Sequence, residues 1–478
     1  MNANDLPHSL QSVFESQRAA FAAAPYSPWD ARAHRLRRLL DLVRDNEAAI
    51  KEAIDRDFGG RPAIETELAE IWPSLEEIRG ALRHGKGWMK PRRAGVGRWF
   101  LPASGQVMPQ PLGVVGIIVP WNYPLYLAIG PMAAALAAGN RVMVKVSEAS
   151  PAFGDLFQAL CARAFAPEEI TVITGGPDVA AQFSALPFDH LLFTGSTSIG
   201  RLVMGAAARN LTPVTLELGG KSPTVIAPDY PMEHAVQRIL AGKLMNAGQT
   251  CIAPDYLLLP RGREAAFADA YQKAVTRLYP RVVGNPDYAA IVNARQHARL
   301  QGLLDEARAL GARVDDVGPP AMDTPGSEAE ARQMRPLLVF DLPAQARLLQ
   351  DEIFGPILPV LPYDRLDTVI AHINARPRPL ALYWFGEDEA ARDRVLAGTV
   401  SGGVTVNDTL MHIAHDGLPF GGVGESGLGA YHGETGFLRF THEKAVFVQS
   451  RFGRGDLLYP PFGARFDRVM GLIRRLLR

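Results

Sequence analysis

Cysteine is nearly absent from this chain: 478 residues include only two, Cys161 and Cys251. Two thiols cannot build the disulfide framework of a small secreted scaffold. An excess of one charge sign is also lacking, because 50 Lys and Arg face 50 Asp and Glu. That balance leaves no global field to draw in nucleic acid or an anionic membrane, so a small, neutral or locally held ligand is expected. The opening MNANDLPHSL has no basic segment followed by an apolar one, so nothing marks export and a cytoplasmic location is expected. Cys-x-x-Cys is missing, and His412 and His415 find no third ligand at supporting spacing, so no metal is expected. No serine sits in a G-x-S-x-G elbow between a strand and a helix.

One apolar run, Pro111 to Gly139, could pass for a membrane span, with Asn122 its only strongly polar member. Pro111, Pro120, Pro124 and Pro131 argue against it, since each would break a helix and free carbonyls that lipid cannot satisfy. The run reads instead as a buried strand over Val114 to Val119, a turn at Pro120 to Pro124 and a helix to Ala138. RVMVKVS then follows as a second strand, the signature of a parallel sheet covered on both faces.

The chain is longer than one hydrophobic core supports, so two or three domains are expected. Leu36, Leu39, Leu40, Val43, Ile50 and Ile54 fall on one face of a helical N-terminal region. From Val114 to about Leu218, GVVGIIV, RVMVKV, EITVITG, HLLFTG and PVTLELGG alternate with helices and predict a doubly wound unit. A second α/β alternation follows Cys251, through DYLLLP, a helix over Phe267 to Leu278, PLLVFDL, PILPVLPY and LALYWFG. GPPAMDTPGSEAEARQ between them reads as a surface loop. GRWFLPASGQVMPQP reads as a hairpin arm, and KAVFVQS as a late strand able to extend a sheet.

Candidate chemistry lies at the ends of these strands. Cys161 falls in a helical apolar stripe with Phe153, Leu156, Phe157 and Leu160 and reads as packing. Cys251, in NAGQTC, follows small polar residues at a junction; nucleophile and structural thiol are both open to it. Glu217 ends the strand VTLELGG, either as a general base whose charge is disfavoured by apolar neighbours or as the partner of a cation such as Lys221. Asn122 in PWNYP could donate to an oxyanion or satisfy its own turn. Lys145 and Glu148 lie past another strand end, where open α/β sheets bind ligands. Gly195 and Ser196 open a helix whose free N–H groups could meet a phosphate, or Ser196 could simply cap it. Trp121, Tyr123, Tyr126, Met411 and His412 could line an aromatic tunnel or belong to the core.

Taken together, PWNYPL, VKVSEASP, FTGSTSIG, LELGGKSP, NAGQTC, DEIFGPILPV and LPFGGVGESGLGAYHG occur in the order found in the aldehyde dehydrogenase superfamily. The resemblance runs from roughly residue 10 to 450. NAGQTCIAPDY and FGGVGESGLGAYHGETGF look like its class 3 branch, which includes bacterial coniferyl aldehyde dehydrogenases. The resemblance implies two doubly wound α/β domains, one binding the cofactor and one catalytic, plus a β-hairpin oligomerisation arm. Residues 1–92 and 109–216 would form the first domain and 217–404 the second, with 93–108 and 405–455 bridging and 456–478 a basic amphipathic tail.

It further implies that Cys251 is the nucleophile, Glu217 the general base and Asn122 the side-chain half of an oxyanion hole. Lys145 and Glu148 would hold the adenosine ribose of NAD, with NADP also accepted. Gly195 and Ser196 would face the pyrophosphate, Glu352 and Phe354 would position the nicotinamide ribose, and Trp121 would also contact the cofactor. The expected partners are an aldehyde and a second copy of the chain. Two departures lie near the cofactor: Val146 stands where the family usually has Pro, and Ser198 where many members carry Glu or Ala. A CoA-acylating or semialdehyde-specific dehydrogenase of the same superfamily, a cysteine hydrolase and a non-catalytic structural member are the competing readings. The tail carries seven Arg against two Asp over residues 451–478, and Phe462, Phe466, Val469, Ile473 and Leu476 share a helical face. It could pack on protein or rest on anionic lipid.

Overall fold

The computed structural model describes residues 9–319, 325–453, 459–460 and 462–476. Its strands form three sheets. In the first, six strands lie in the spatial order Gly427–Leu428, Val214–Glu217, His190–Thr194, Val114–Ile118, Arg141–Lys145 and Ile170–Ile173. All pair in parallel except Gly427–Leu428, which runs antiparallel to Val214–Glu217. The apolar runs are nearly unbroken because helices cover both faces, among them the wholly buried Tyr126–Ala138. Ile118 is in register with both Lys145 and Phe193, and Thr194 with Glu217. This register brings Lys145, Thr194 and Glu217 to one carboxyl-terminal edge, where ligands of open α/β sheets bind.

The second sheet has seven strands, ordered Arg313–Asp316, Leu337–Phe340, Ile357–Tyr363, Tyr256–Pro260, Pro223–Ile226, Ala381–Phe385 and Gly403–Val406. Only the Arg313–Asp316 edge is antiparallel. The α/β class expected from the sequence is therefore present in both units. Pro223–Ile226, Arg313–Asp316 and Gly403–Val406 escaped the sequence reading. Length alone does not explain this, since Ile170–Ile173, Val214–Glu217 and Leu337–Phe340 are as short and were legible. Arg313–Asp316 is mostly polar, and Pro223–Ile226 and Gly403–Val406 open on a proline and a glycine, which read as turn residues.

The third sheet joins Arg92–Ala94, Ser104–Pro111 and Thr441–Val448, all antiparallel, with Thr441 opposite Pro111 and Val448 opposite Ser104. It contains the late strand read from the sequence and the hairpin arm's second strand, whose partner Arg92–Ala94 lies before the stretch read as the arm, and Thr441–Val448 forms an edge. Leu36, Leu39, Val43, Ile50 and Ile54 are all buried in the largest core cluster, with Leu40 packed against it. Cys161 is buried in the same cluster, and burial raises its thiol pKa, as suits a packing residue.

Among the described residues no helix is long and apolar enough to cross a membrane. Residues 320–324 of the segment read as a surface loop lie outside the described residues. Its far end is anchored, since Gln333 donates to the carbonyls of Asn285 and Tyr288 at 2.8 and 2.7 Å. In the tail, a helix over Ala464–Leu476 half-buries Phe466, Val469 and Ile473, while Phe462 and Leu476 stay exposed. Arg98 Nη2 donates to the Leu476 carbonyl at 3.0 Å.

Candidate active site

The stretch before Cys251 is a tight, over-determined turn. Asn246 and Ala247 both adopt φ +50°, and Gly248 follows at φ +77°. Left-handed backbone at two residues with side chains is costly and persists only where neighbours enforce it. Gln249 supplies that enforcement. Its amide donates to the carbonyls of Asn246 (2.9 Å) and Ala290 (3.0 Å) and accepts from the Val292 N–H at 2.9 Å. Thr250 Oγ1 shares a 2.6 Å hydrogen bond with Tyr123 Oη, and Tyr383 Oη donates to the Ile252 carbonyl at 2.5 Å. Cys251 is thus pinned on both sides and stays half-buried at the wall of a cavity of about 260 Å³.

Trp121, Asn122, Gly195 and Ser196 line the same cavity. So do Glu217, Glu352 and Phe354. Asn122 Nδ2 donates to the Gln249 carbonyl at 3.2 Å, two residues from the thiol. Its own carbonyl accepts from Arg61 Nη1 at 2.6 Å and from Asn246 Nδ2 at 3.2 Å. Glu217 is buried, and among the described residues neither carboxylate oxygen has a hydrogen-bond partner. Lys221, the cation that could have paired with it, instead pairs with Asp255. Burial therefore holds the Glu217 carboxyl well above the usual carboxylate range, against the opposing charge of Arg439. Burial, then Glu352 and Glu217, push the Cys251 thiol up as well. Burial and the charge of Asp255 raise Glu352 to about 8.

Lys145 and Glu148 lie farther along the strand edge and do not line this cavity. Lys145 is buried, its Nζ donates to the Val146 carbonyl at 2.6 Å, and burial lowers its pKa while Glu148 opposes. Glu148 is exposed. A Cβ at Gly195 would stand 2.5 Å from the Phe193 ring, so only glycine fits where the chain turns into the helix Thr197–Ala208. Ser196 caps that helix through the Ile199 N–H at 3.4 Å, and Ser198 Oγ lies 3.1 Å from Ser196 Oγ. Val146 packs against Gly154.

Of the aromatic candidates, Trp121 alone lines the cavity, edge-on to Phe354 with ring centroids 5.5 Å apart. Tyr126 meets His432 at 3.2 Å, His412 bonds Thr405 Oγ1 at 2.8 Å and stacks on Phe420, and Met411 is exposed. The structure also adds Thr194, Gln296 and Arg299 to the cavity wall. No sequence signal marked the last two, which lie on an ordinary helix, Ala294–Ala309. A larger groove of about 580 Å³ beside Asp55, Asn285 and Glu330 contains no cysteine.

Half-buried thiol, amide donor and unpaired buried carboxylate in one cavity suit covalent catalysis on a carbonyl. Comparison with known proteins agrees. A protein of Pseudomonas aeruginosa named "Probable coniferyl aldehyde dehydrogenase" is 51% identical over 463 residues, covering 97% of this chain and 96% of that one. "Coniferyl aldehyde dehydrogenase" of a Pseudomonas species is 44% identical over 469 residues, covering 98% and 96%. The solved "Substrate bound state of Staphylococcus Aureus AldH" superposes with a TM-score of 0.90 at 36% identity, covering 98% of this chain and 100% of that one. The model of the "Aldehyde dehydrogenase family" matches residues 7–446, and with the cavity that gathers Cys251, Asn122 and Glu217 this shows that the chain belongs to the aldehyde dehydrogenase family.

Proposed function

We propose that this enzyme oxidises an aldehyde to its carboxylic acid through a covalent adduct on Cys251. The observation that carries the reading is the buried, unpartnered Glu217 carboxylate in the same cavity as Cys251 and Asn122. Cys251, as thiolate, attacks the carbonyl carbon. The Asn122 amide, turned from the Gln249 carbonyl, and the Cys251 N–H stabilise the oxyanion. A nicotinamide dinucleotide supplies the hydride acceptor that takes the Cys251 thiohemiacetal to a thioester. Glu217 then removes a proton from water as that water attacks the acyl carbon. The thiol leaves, and the acid departs. A thiol serves both steps because it is a strong nucleophile and a good leaving group.

The cavity fits such a cofactor. Gly195 keeps the helix start free of a side chain, and Glu352 presents a buried Oε1 with no partner among the described residues. Gly195 and Ser196 would face the pyrophosphate, Trp121, Glu352 and Phe354 the nicotinamide end, and Lys145 and Glu148 the adenosine ribose. NAD is the proposed cofactor, with NADP accepted. A CoA-acylating enzyme has no need of a water-activating carboxylate such as Glu217. A cysteine hydrolase would need a histidine beside the thiol, and none lines the cavity among the described residues. The names of the two Pseudomonas relatives favour a coniferyl-type aromatic substrate, with medium-chain aliphatic aldehydes the alternative.

We also propose a cytoplasmic homodimer joined through the exposed edge of Thr441–Val448, where Phe447 and Val448 are more than half exposed. Light scattering at micromolar concentration should give twice the chain mass, and a monomer mass would refute it. The function itself is tested by the growth of reduced-nicotinamide absorbance with coniferyl aldehyde, benzaldehyde and a medium-chain alkanal. Absence of growth with all three would overturn it.

A further inference from the structure

Phe354 holds a left-handed backbone, φ +54°, in a segment that is neither helix nor strand. Such a residue is strained unless its surroundings fix it. Three charged side chains from three separate parts of the chain bind the main chain leading to it. Lys221 Nζ donates to the carbonyls of Leu348 (2.8 Å) and Asp351 (2.9 Å) while paired with Asp255. The other oxygen of Asp255 accepts from the Ile353 N–H at 3.0 Å. Arg299, on the helix Ala294–Ala309, donates through Nη1 to the Glu352 carbonyl at 3.2 Å and through Nη2 to the Ile353 carbonyl at 2.5 Å. Its Nε is held in turn by Gln296 Oε1 at 2.9 Å. On the far side, a Cβ at Gly355 would stand 2.6 Å from Leu300, so the same helix closes against the segment just past Phe354.

We propose that Arg299 is a positioning residue: by gripping the carbonyls of Glu352 and Ile353 it sets the Glu352 carboxylate and the Phe354 ring that hold the nicotinamide half of the cofactor. This rests on the proposed function, in which Glu352 and Phe354 take that role. Without Arg299 two successive carbonyls of an irregular, largely buried segment lose their side-chain donor. The planar guanidinium reaches both carbonyls at once from a fork held at Nε by Gln296, whereas an ammonium is a single point donor on a flexible stem. Lys221 and Asp255 hold the entry to the segment and Arg299 its centre. The segment therefore keeps its path when Arg299 is replaced but loses the fixed orientation of the two functional side chains.

The test is steady-state kinetics of the full-length enzyme, with NAD varied at saturating aldehyde and aldehyde varied at saturating NAD. Arg299→Gln is expected to raise the KM for NAD by about tenfold, the scale of a lost charged hydrogen bond, and to lower kcat, with the aldehyde KM moving less than twofold. Arg299→Lys should recover part of the NAD KM. Because Arg299 acts through Glu352 and Phe354, the double variant Arg299→Gln/Glu352→Gln, with NAD binding read from the quenching of tryptophan fluorescence, should lose less affinity than the two single losses added together. Wild-type NAD KM and kcat in Arg299→Gln would overturn the proposal, as would additive effects in the double variant. If Arg299→Gln fails to fold, Arg299→Lys decides: an unchanged NAD KM overturns the proposal and a raised one supports it. A wild-type enzyme that neither quenches its tryptophan fluorescence with NAD nor reduces it would instead refute the reading of the whole site.

Discussion

Arg61 donates to the main-chain carbonyl of Asn122 at 2.6 Å, and the same Nη1 pairs with Glu70 at 3.1 Å where both side chains are fully buried. Glu70 also accepts from the Leu125 N–H at 2.7 Å, so the pair ties the turn bearing Asn122 to the N-terminal helices. Removing one member of a buried pair leaves the other charge uncompensated, which costs about 3–5 kcal/mol. Arg61→Ala is therefore expected to lower stability by that amount in urea unfolding, and to depress kcat by loosening Asn122. A midpoint equal to wild type would show that the pair contributes nothing net.

Glu148 sits exposed past the strand Arg141–Lys145, whose last residue is buried beside it. If its carboxylate accepts from the adenosine ribose hydroxyls, a 2′-phosphate there meets a like charge. Glu148→Gln should then narrow the preference for NAD over NADP by about fivefold or more, mainly by improving the KM for NADP. A wild-type enzyme that strongly prefers NADP would remove this role from Glu148.

Strands of five or more residues in continuous apolar runs, such as Val114–Ile118 and Ala381–Phe385, were legible because burial on both faces leaves a mark that length makes visible. The reactive residues were legible through their order along the chain. Whether Glu217 was paired was not, because Lys221 lies four positions away and only the fold turns it toward Asp255. Arg299 was hidden for a related reason. Its partners are main-chain carbonyls of residues 352 and 353, and a carbonyl carries no sequence identity.

Glu77 is buried against Asp416 and accepts from the Gly433 N–H at 3.1 Å. Burial, then the charge of Asp416, hold its carboxyl above the usual range. The folded state thus keeps a proton that the unfolded state releases above about pH 4.3. By linkage, this contribution to stability is fully present below that pH and is lost as pH rises through the raised folded value. Glu77→Gln retains an acceptor for Gly433 and carries no charge. Relative to wild type it is expected to gain on the order of 1–3 kcal/mol at pH 8, with little difference at pH 5. Thermal melts across pH 5–9 would show the gap opening with pH, and a constant gap would exclude this cause.

Cys251 and Glu217 are assigned to half-reactions that can be separated in time. Cys251→Ala should abolish reduced-cofactor formation, since no thiohemiacetal can form. Glu217→Gln keeps the shape of the carboxylate in its buried site but cannot take a proton from water. Acylation should proceed once, and hydrolysis should slow by about 10²-fold or more. The expected record is a burst approaching one reduced cofactor per active site, then near silence, with the acyl group found by mass spectrometry on the peptide containing Cys251. pH separates the roles further. Because the Glu217 carboxyl and the Cys251 thiol are both held above their ordinary values, their base forms grow as pH rises, so wild-type turnover should climb on the alkaline side of neutrality. In Glu217→Gln the slow deacylation should lose the part of that climb owed to the carboxylate, while the burst, which needs only the thiolate, should still quicken with pH. Steady turnover at the wild-type rate in Glu217→Gln would make Glu217 structural and pass the activation of water to Glu352, the other raised carboxyl in the cavity.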